Sequence, residues 1–444
     1  MLKWLVRPQV NYTCGTEDPA RGENAMQDAR QFNVIRPAAI GVEGSLKARP
    51  RAFALAMFAI LLASYAINAM DRQLFPLLAS DVRREYGFSL SQSGLMSTIF
   101  TLGMALAGLP TGYLLARSTR KTTVQIGIAI FSTGTVFTAF ANGFADMLLY
   151  RAATGIGEAM QLTALLAAAT NYFARYRAAA AGSINFAYGI GAMIGPVLTG
   201  MLLSAWKTWR APMVVFGLLG IVAIAVIALT VRPWLTEVSG ELGSRTGGAG
   251  ALTLLNRNSL ILTLMSLIGG MIIYGYLGMY PTYLREHLAY SPGAAGTVMS
   301  MYGLGALASI GGGWLGDRFS PRLVMSATFL VAAVLGYLLF HGSPSFAAQA
   351  ALSFAWGIVV SGAIYVNLAG YHVKAVTNAL ASSASGVFVT SLYGSAATAG
   401  YSIGWLASHA GWEMAGLIQI SLLSIIGAVL AAFLSGDPIT AGAD

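Results

Sequence analysis

The chain has 444 residues, of which 56% are hydrophobic and only 10% charged. Soluble globular proteins carry about 25% charged residues, so this composition excludes an ordinary soluble domain and places the chain in lipid. The net charge of +9 does not indicate nucleic-acid binding, because the basic residues lie scattered in short connections between apolar runs rather than on one surface. Cys14 is the single cysteine, which excludes an internal disulfide, a Cys-rich zinc site and a CxxC redox motif.

In chain order, residues 1–51 mix eight basic with five acidic side chains and read as a disordered cytoplasmic tail. The opening MLKWLVRPQV has no continuous apolar core and no cleavage-site pattern, so no signal peptide is expected. Twelve apolar stretches of spanning length follow, over 52–79, 91–116, 121–141, 145–173, 178–205, 210–231, 259–284, 292–316, 322–340, 345–370, 380–408 and 412–434. Crossing the hydrocarbon takes about 20 helical residues. Long continuous runs also contradict a barrel of short alternating strands. The expected fold is therefore an all-α membrane protein with twelve transmembrane helices. Residues 232–258 read as a cytoplasmic linker between an N-terminal bundle (52–231) and a C-terminal bundle (259–434), and 435–444 as a cytoplasmic C-terminus.

An even number of spans puts both termini on one side. The loops on that side hold eleven Lys and Arg, the opposite loops five, and the excess marks the termini's side as cytoplasmic. The run Asp81, Arg83, Arg84, Glu85 falls on the outer side and reads as a wet loop.

The chain repeats itself. GYLLARSTRK from Gly112 resembles GWLGDRFSPR from Gly313, an offset of 201. Trp209 before the sixth span mirrors Trp412 before the twelfth, an offset of 203. Two landmarks with nearly one offset indicate two pseudo-symmetric six-helix halves, a plan that places a site between them at the midplane.

Two ionisable pairs lie deep in this apolar sequence: Asp71 and Arg72 in the first span, Arg151 and Glu158 in the fourth. A charge at bilayer depth costs several kcal/mol, about 3 by insertion scales, unless it is paired or faces water, so these four mark a path or a site. Arg151 and Glu158 are two helical turns apart on one face, about 10 Å along the axis. Gly155 and Gly157 between them are expected to let the first helix come close. Asp71 and Arg72 would then complete a four-charge cluster, neutral when both acids are ionised and +1 when one is protonated. Desolvation favours the neutral carboxyl, which a proton switch needs. The rival reading is a structural lock between the first and fourth helices. The second half has no comparable charge and offers tyrosines and amides instead.

The two Gly-x-x-x-Asp-Arg-like loops after the second and eighth spans resemble the signature loop of the major facilitator superfamily, and LLYRAATGIGEA at 148–159 resembles its helix 4 motif. Within it, Asn68-Ala69-Met70-Asp71-Arg72 and Arg151…Gly155, Gly157, Glu158, Ala159 resemble the anion:cation symporters (sialin-like and sugar-acid) and the spinster-like group. The resemblance implies a secondary transporter, not an enzyme, that moves a small organic anion by alternating access with proton symport. A spinster-like lipid transporter or facilitator and a drug:proton antiporter are the alternatives.

It implies proton-coupling roles for Asp71 and Glu158, and substrate binding by Arg72 and Arg151. Asn68, Tyr274, Tyr280, Asn367 and Tyr393 are further expected lining. Gating is expected from Gly112, Arg117, Arg120, Gly313, Asp317 and Arg318. Ala116 replaces the usual aspartate of the first loop, so Asp317 and Arg318 are expected to carry more of the cytoplasmic lock. No cofactor, metal or nucleic acid is expected. The partners are the anion, protons and membrane lipids, and a monomer in a plasma or bacterial inner membrane is anticipated.

Overall fold

The computed structural model describes residues 51–173, 176–237 and 250–435. The expected tail up to residue 50 with Cys14, the middle of the expected linker (238–249) and residues 436–444 lie outside the described residues.

The described chain is helical because backbone N–H and C=O groups in lipid must be satisfied within the segment. Twelve spans result: α1 (Arg51–Tyr86), α2 (Leu90–Leu106 and Pro110–Arg117), α3 (Arg120–Ala139), α4 (Phe144–Tyr172), α5 (Arg177–Trp206), α6 (Arg210–Thr230), α7 (Arg257–His287), α8 (Pro292–Arg318), α9 (Pro321–His341) and α10 (Phe346–Lys374), with α11 and α12 as the two arms of Ala381–Ala432. Gly411 separates those arms at φ 85, ψ 164, a backbone conformation that side-chain-bearing residues rarely adopt. The two pieces of α2 meet at 47°, at Gly108 and Pro110, where proline removes a backbone donor and clashes with the preceding turn.

Helix starts follow local chemistry. Ser89, Thr119, Asn256, Ser291, Ser320 and Ser345 each accept a bond from a first-turn backbone N–H of the helix that follows. Ser89 and Gln92 form a complete capping box. One expectation fails here: Asp81–Glu85 is not a loop but the last turns of α1, which runs on to Tyr86.

The linker's two described ends dock on different halves. Glu237 accepts from the backbone N–H groups of Arg120 and Lys121 at the start of α3, at 3.0 and 3.1 Å. Ala251 exchanges backbone bonds with Ala375 and Thr377 after α10, at 3.1 and 3.0 Å.

The halves meet along α2–α11 and α5–α8, and glycine decides how closely. A Cβ on Gly94 would strike the backbone of Gly400, and one on Gly200 or Gly303 would strike the α8 or α5 backbone opposite. Thr98 ties the same α2–α11 crossing by donating to the Ala397 carbonyl at 3.0 Å. The contacts of Gly94, Gly200 and Thr98 lie toward the end that carries the α1–α2 and α7–α8 loops, and that of Gly303 lies at the middle of α5. Toward the opposite end, a Cβ on Gly112, Gly182, Gly311 or Gly386 would meet nothing within 4 Å. The halves are zipped at one end and parted at the other.

Overfilling a close-packed contact costs about 1–3 kcal/mol. Gly94→Val and Gly400→Val are therefore expected to lower the thermal unfolding midpoint in detergent, whereas Gly112→Ala leaves it unchanged. Equal midpoints for all three would show that the zipped end is not held by glycine contact.

Candidate functional site

Asp71 and Arg72 are neighbours on α1 and point about 100° apart, so they reach different partners on antiparallel α4. Arg72 Nε lies 3.0 Å from Glu158 Oε2. Asp71 Oδ2 lies 3.8 Å from Arg151 Nη1, and its other oxygen accepts from Thr135 of α3 at 2.7 Å. All four charged side chains are buried, the most exposed being Arg72 at 5%. The expected four-charge cluster thus forms as two crossed pairs.

Amides hold the cluster in place. Asn68 accepts from Arg72 Nε at 3.1 Å and donates to Gln161 Oε1 at 2.9 Å, and Gln161 donates to Ser64 at 3.1 Å. Neither Glu158 oxygen has an aligned hydrogen-bond donor among the described residues, so its contact with Arg72 is an ion pair without hydrogen-bond geometry.

The glycines of α4 do not admit α1. A Cβ on Gly155 would meet Phe100 and Met104 of α2, and one on Gly157 would meet Gly127 and Phe131 of α3. Residues two apart on a helix point to nearly opposite faces, so the pair serves two neighbours. Close approach to α1 comes from α5, where Gly191 and Gly195 sit against Ala66 and Met70.

The two arginines have different surroundings. Arg72 lines a central cavity of about 60 Å³, room for a few waters, together with Tyr65, Tyr188, Tyr274, Tyr302, Tyr365 and Tyr393. Its guanidinium carbon sits 6.0 Å from the Tyr65 ring centre and 5.8 Å from that of Tyr188, within cation–π reach. The Tyr365 and Tyr393 hydroxyls are 3.1 Å apart. Arg151 lines no part of this cavity. It is wholly buried between the Phe75 and Phe100 rings, 5.1 and 5.3 Å away, and none of its side-chain nitrogens has a hydrogen-bond partner among the described residues.

Of the other expected lining residues, Tyr274 and Tyr393 face the cavity. Tyr280 is buried in the second half and donates to Gln349. Asn367 donates to the carbonyls of Gly312 and Ala363, both at 2.9 Å, tying α8 to α10. Sequence reasoning missed Tyr65, Tyr188, Tyr302, Asn185 and Ser361. Tyr65 carries a readable signal, two turns before Arg72 on the same helix. Ser361 and Tyr365 lie in Gly357–Tyr365, which winds as a π helix, a form frequent at functional sites.

A family model for the Major Facilitator Superfamily matches residues 61–401. The chain belongs to the Major Facilitator Superfamily. Protein spinster of Drosophila melanogaster is 26% identical over 329 residues, 68% of this chain and 54% of that protein. The chain thus spans about half the length of that relative. The cis,cis-muconate transport protein of Acinetobacter baylyi is 22% identical over 404 residues, 86% of this chain and 94% of that one. A solved structure of a bacterial homolog to the human lysosomal transporter Spinster, in an inward-facing and occupied conformation, matches with TM-score 0.69 at 19% identity. The match covers 87% of this chain and 97% of that one, and the likeness is one of fold. The chain accordingly has the twelve-helix fold of that superfamily and is a multi-pass membrane protein.

The signature-loop residues sit at the parted end. Asp317 pairs with Lys374 of its own half at 2.6 Å, and Arg318 lies 5.5 Å from the ring of its own Trp314. Arg117 lies over Tyr113 at 3.8 Å, and Arg120 Nη1 donates to the Thr236 carbonyl at 3.0 Å.

At the zipped end, charges cross between the halves. Arg285 of α7 pairs with Asp81 of α1, and Arg83 of α1 pairs with Glu286 of α7 at 2.7 Å. Each helix contributes one acid and one base, which makes the clasp reciprocal. Below it, Gln73, Pro76, Ser97, Phe100, Tyr274 and Leu277 close the way from the clasp to Arg72.

Removing one clasp pair is expected to cost about 1 kcal/mol, equivalent to about a fivefold population shift. With Cys14→Ser as background, Ser97→Cys should react about fivefold faster with an impermeant maleimide when Asp81→Ala is added. The reversed pair Asp81→Arg with Arg285→Asp should return the slow rate. Identical rates throughout would show that the clasp does not hold this end closed.

Proposed function

We propose that this transporter carries a small organic anion by proton-coupled symport, with Arg72 as the anion anchor and Glu158 as the proton site. One observation carries the reading: Arg72 belongs to both systems. Its Nε pairs with buried Glu158, while its side chain lines the cavity and its Nη2 has no partner among the described residues. Protonating Glu158 removes the opposing charge and leaves the cluster at +1. The guanidinium fork is then free to take a carboxylate. Asp71 and Arg151 persist as the second pair and keep the cluster neutral when Glu158 is ionised.

In the cycle, the proton and the anion bind together or leave together, because each is unfavourable without the other. Asn68 holds Arg72 in register, and Tyr274 and Tyr393 contact the anion from the second half. The basic excess on the termini's side assigns the clasp to the outside of a plasma or inner membrane, and the parted end to the cytoplasm. Rocking the halves about the fixed site alternates access. Gly112, Arg117, Arg120, Gly313, Asp317 and Arg318 would form the inner lock when the parted end closes. The relative named for cis,cis-muconate transport, whose named cargo is a dicarboxylate, supports an organic anion as the class of cargo and not the number of its charges.

A second reading has its own observation. An open apolar cleft between α1, α5 and α8, lined by Leu62, Ala66, Phe186, Ile190 and Ile310 among others, reaches the seam between the halves. Such a cleft suits the chain of an amphiphile whose anionic head sits at Arg72, in line with the spinster relative.

In proteoliposomes with an internal pH dye, adding the transported anion should acidify the lumen. Glu158→Gln should bind the anion but move no proton, since the amide imitates the protonated acid. Normal accumulation against a gradient in Glu158→Gln would overturn the coupling role. Because binding requires a proton, wild-type affinity should fall as pH rises through the titration of Glu158, by up to ~tenfold per unit. Glu158→Gln should lose that slope. Arg72→Lys keeps the charge but not the fork, and uptake should drop at least ~tenfold. Uptake equal to wild type would remove Arg72 from the site.

A further inference from the structure

Resting on the symport reading above, we infer that the cavity takes an anion with a single negative charge and a flat unsaturated or aromatic body. Dicarboxylates and polyhydroxy acids fit it poorly.

The charge limit comes from where the two arginines stand. Arg72 is the single charged side chain among the described residues that line the cavity. Its Nη2 is buried and without a partner among the described residues, so one carboxylate satisfies it once the surrounding tyrosines part. The second guanidinium that a dianion would need is Arg151, which the Phe75 and Phe100 rings enclose. Arg151 is wholly buried. A second carboxylate in the cavity would therefore be desolvated without a cation, an expensive state for any ionised group. The cluster makes the same point: one proton raises it by one unit, matching one negative charge.

The shape and polarity of the ligand come from the six tyrosines. Three belong to the first pseudo-symmetric half and its α8 contact (Tyr65, Tyr188, Tyr302), and three to α7, α10 and α11 (Tyr274, Tyr365, Tyr393). Tyr274 and Tyr393 stand edge-to-face at 5.9 Å, and Phe100 meets Tyr274 in the same way at 6.0 Å. Rings arranged so present faces and edges to a flat guest. Three further polar residues line the cavity, Asn185, Ser309 and Ser361, too few to replace the water around a sugar acid. The cavity of about 60 Å³ is smaller than a benzene ring requires, so the tyrosines must part as a ring enters. A bulky polyhydroxy chain would demand a wider opening still.

The test uses full-length protein in detergent with radiolabelled benzoate, competed by terephthalate, cyclohexanecarboxylate and gluconate. Terephthalate adds one carboxylate to the same ring, cyclohexanecarboxylate keeps the charge but loses the flat ring, and gluconate replaces the ring by hydroxyls. Benzoate should bind, and each competitor should be at least tenfold weaker than unlabelled benzoate. Saturable benzoate binding should disappear in Arg72→Ala and persist in Arg151→Lys if that variant remains monodisperse. Terephthalate or gluconate competing as well as benzoate, or no benzoate binding at all, overturns the inference.

The symport reading is scored separately in proteoliposomes. Acidification by gluconate but not benzoate would sink the inference and keep the reading. Benzoate binding that never moves a proton with any anion would keep the inference about the site and sink the reading.

Discussion

Everything in the first half answers to one constraint: four charges placed at bilayer depth must neutralise one another. An unpaired ion there is costly, and removing one partner of a buried pair leaves about 3–5 kcal/mol uncompensated. The chain meets this by crossing the pairs, Arg72 with Glu158 and Arg151 with Asp71, and by adding Thr135 and Asn68 from the sides. Crossing ties α1, α3 and α4 into one unit. It also gives the pairs unequal exposure, since only Arg72 borders the cavity. An arrangement that satisfies a lipid environment has thereby acquired an asymmetry that proton–anion coupling can use.

The second constraint is contact between the halves. Glycine at α2, α5, α8 and α11 crossings lets backbones touch at one end, and the reciprocal clasp of Asp81, Arg83, Arg285 and Glu286 closes over that contact. At the other end the glycines face open space and the signature-loop residues pair within their own halves. The clasp is partly wet and correspondingly weak, whereas the central cluster is dry. The clasp is thus the contact that opens at lower cost, while the buried cluster stays assembled. The halves also divide the labour chemically. The first supplies the four-charge cluster with two of the cavity tyrosines, and the second supplies the other four, Tyr365 among them at the end of the π-wound stretch of α10.

Hydrophobicity and charge by themselves determined the span count, the two-half plan and the identity of the four buried charges. Each is written along the chain: a span needs about 20 apolar residues, a repeat needs a constant offset, and a charge inside such a run stands out. Even the break at Gly411 and the serine caps are local matters. Tertiary structure alone decided which neighbour each face meets. That is why Gly155 and Gly157 turned out to receive α2 and α3, and why Asp81 and Arg83, in the last turns of α1 and not in a loop, became one side of a clasp. It separated Arg72 from Arg151, identical residues in equally apolar sequence, by putting one beside the cavity and the other between Phe75 and Phe100. It also gathered six tyrosines from six different helices around one guanidinium. No local pattern reports such a meeting, because the positions converge only after the helices have packed, and packing depends on surfaces far apart in the chain.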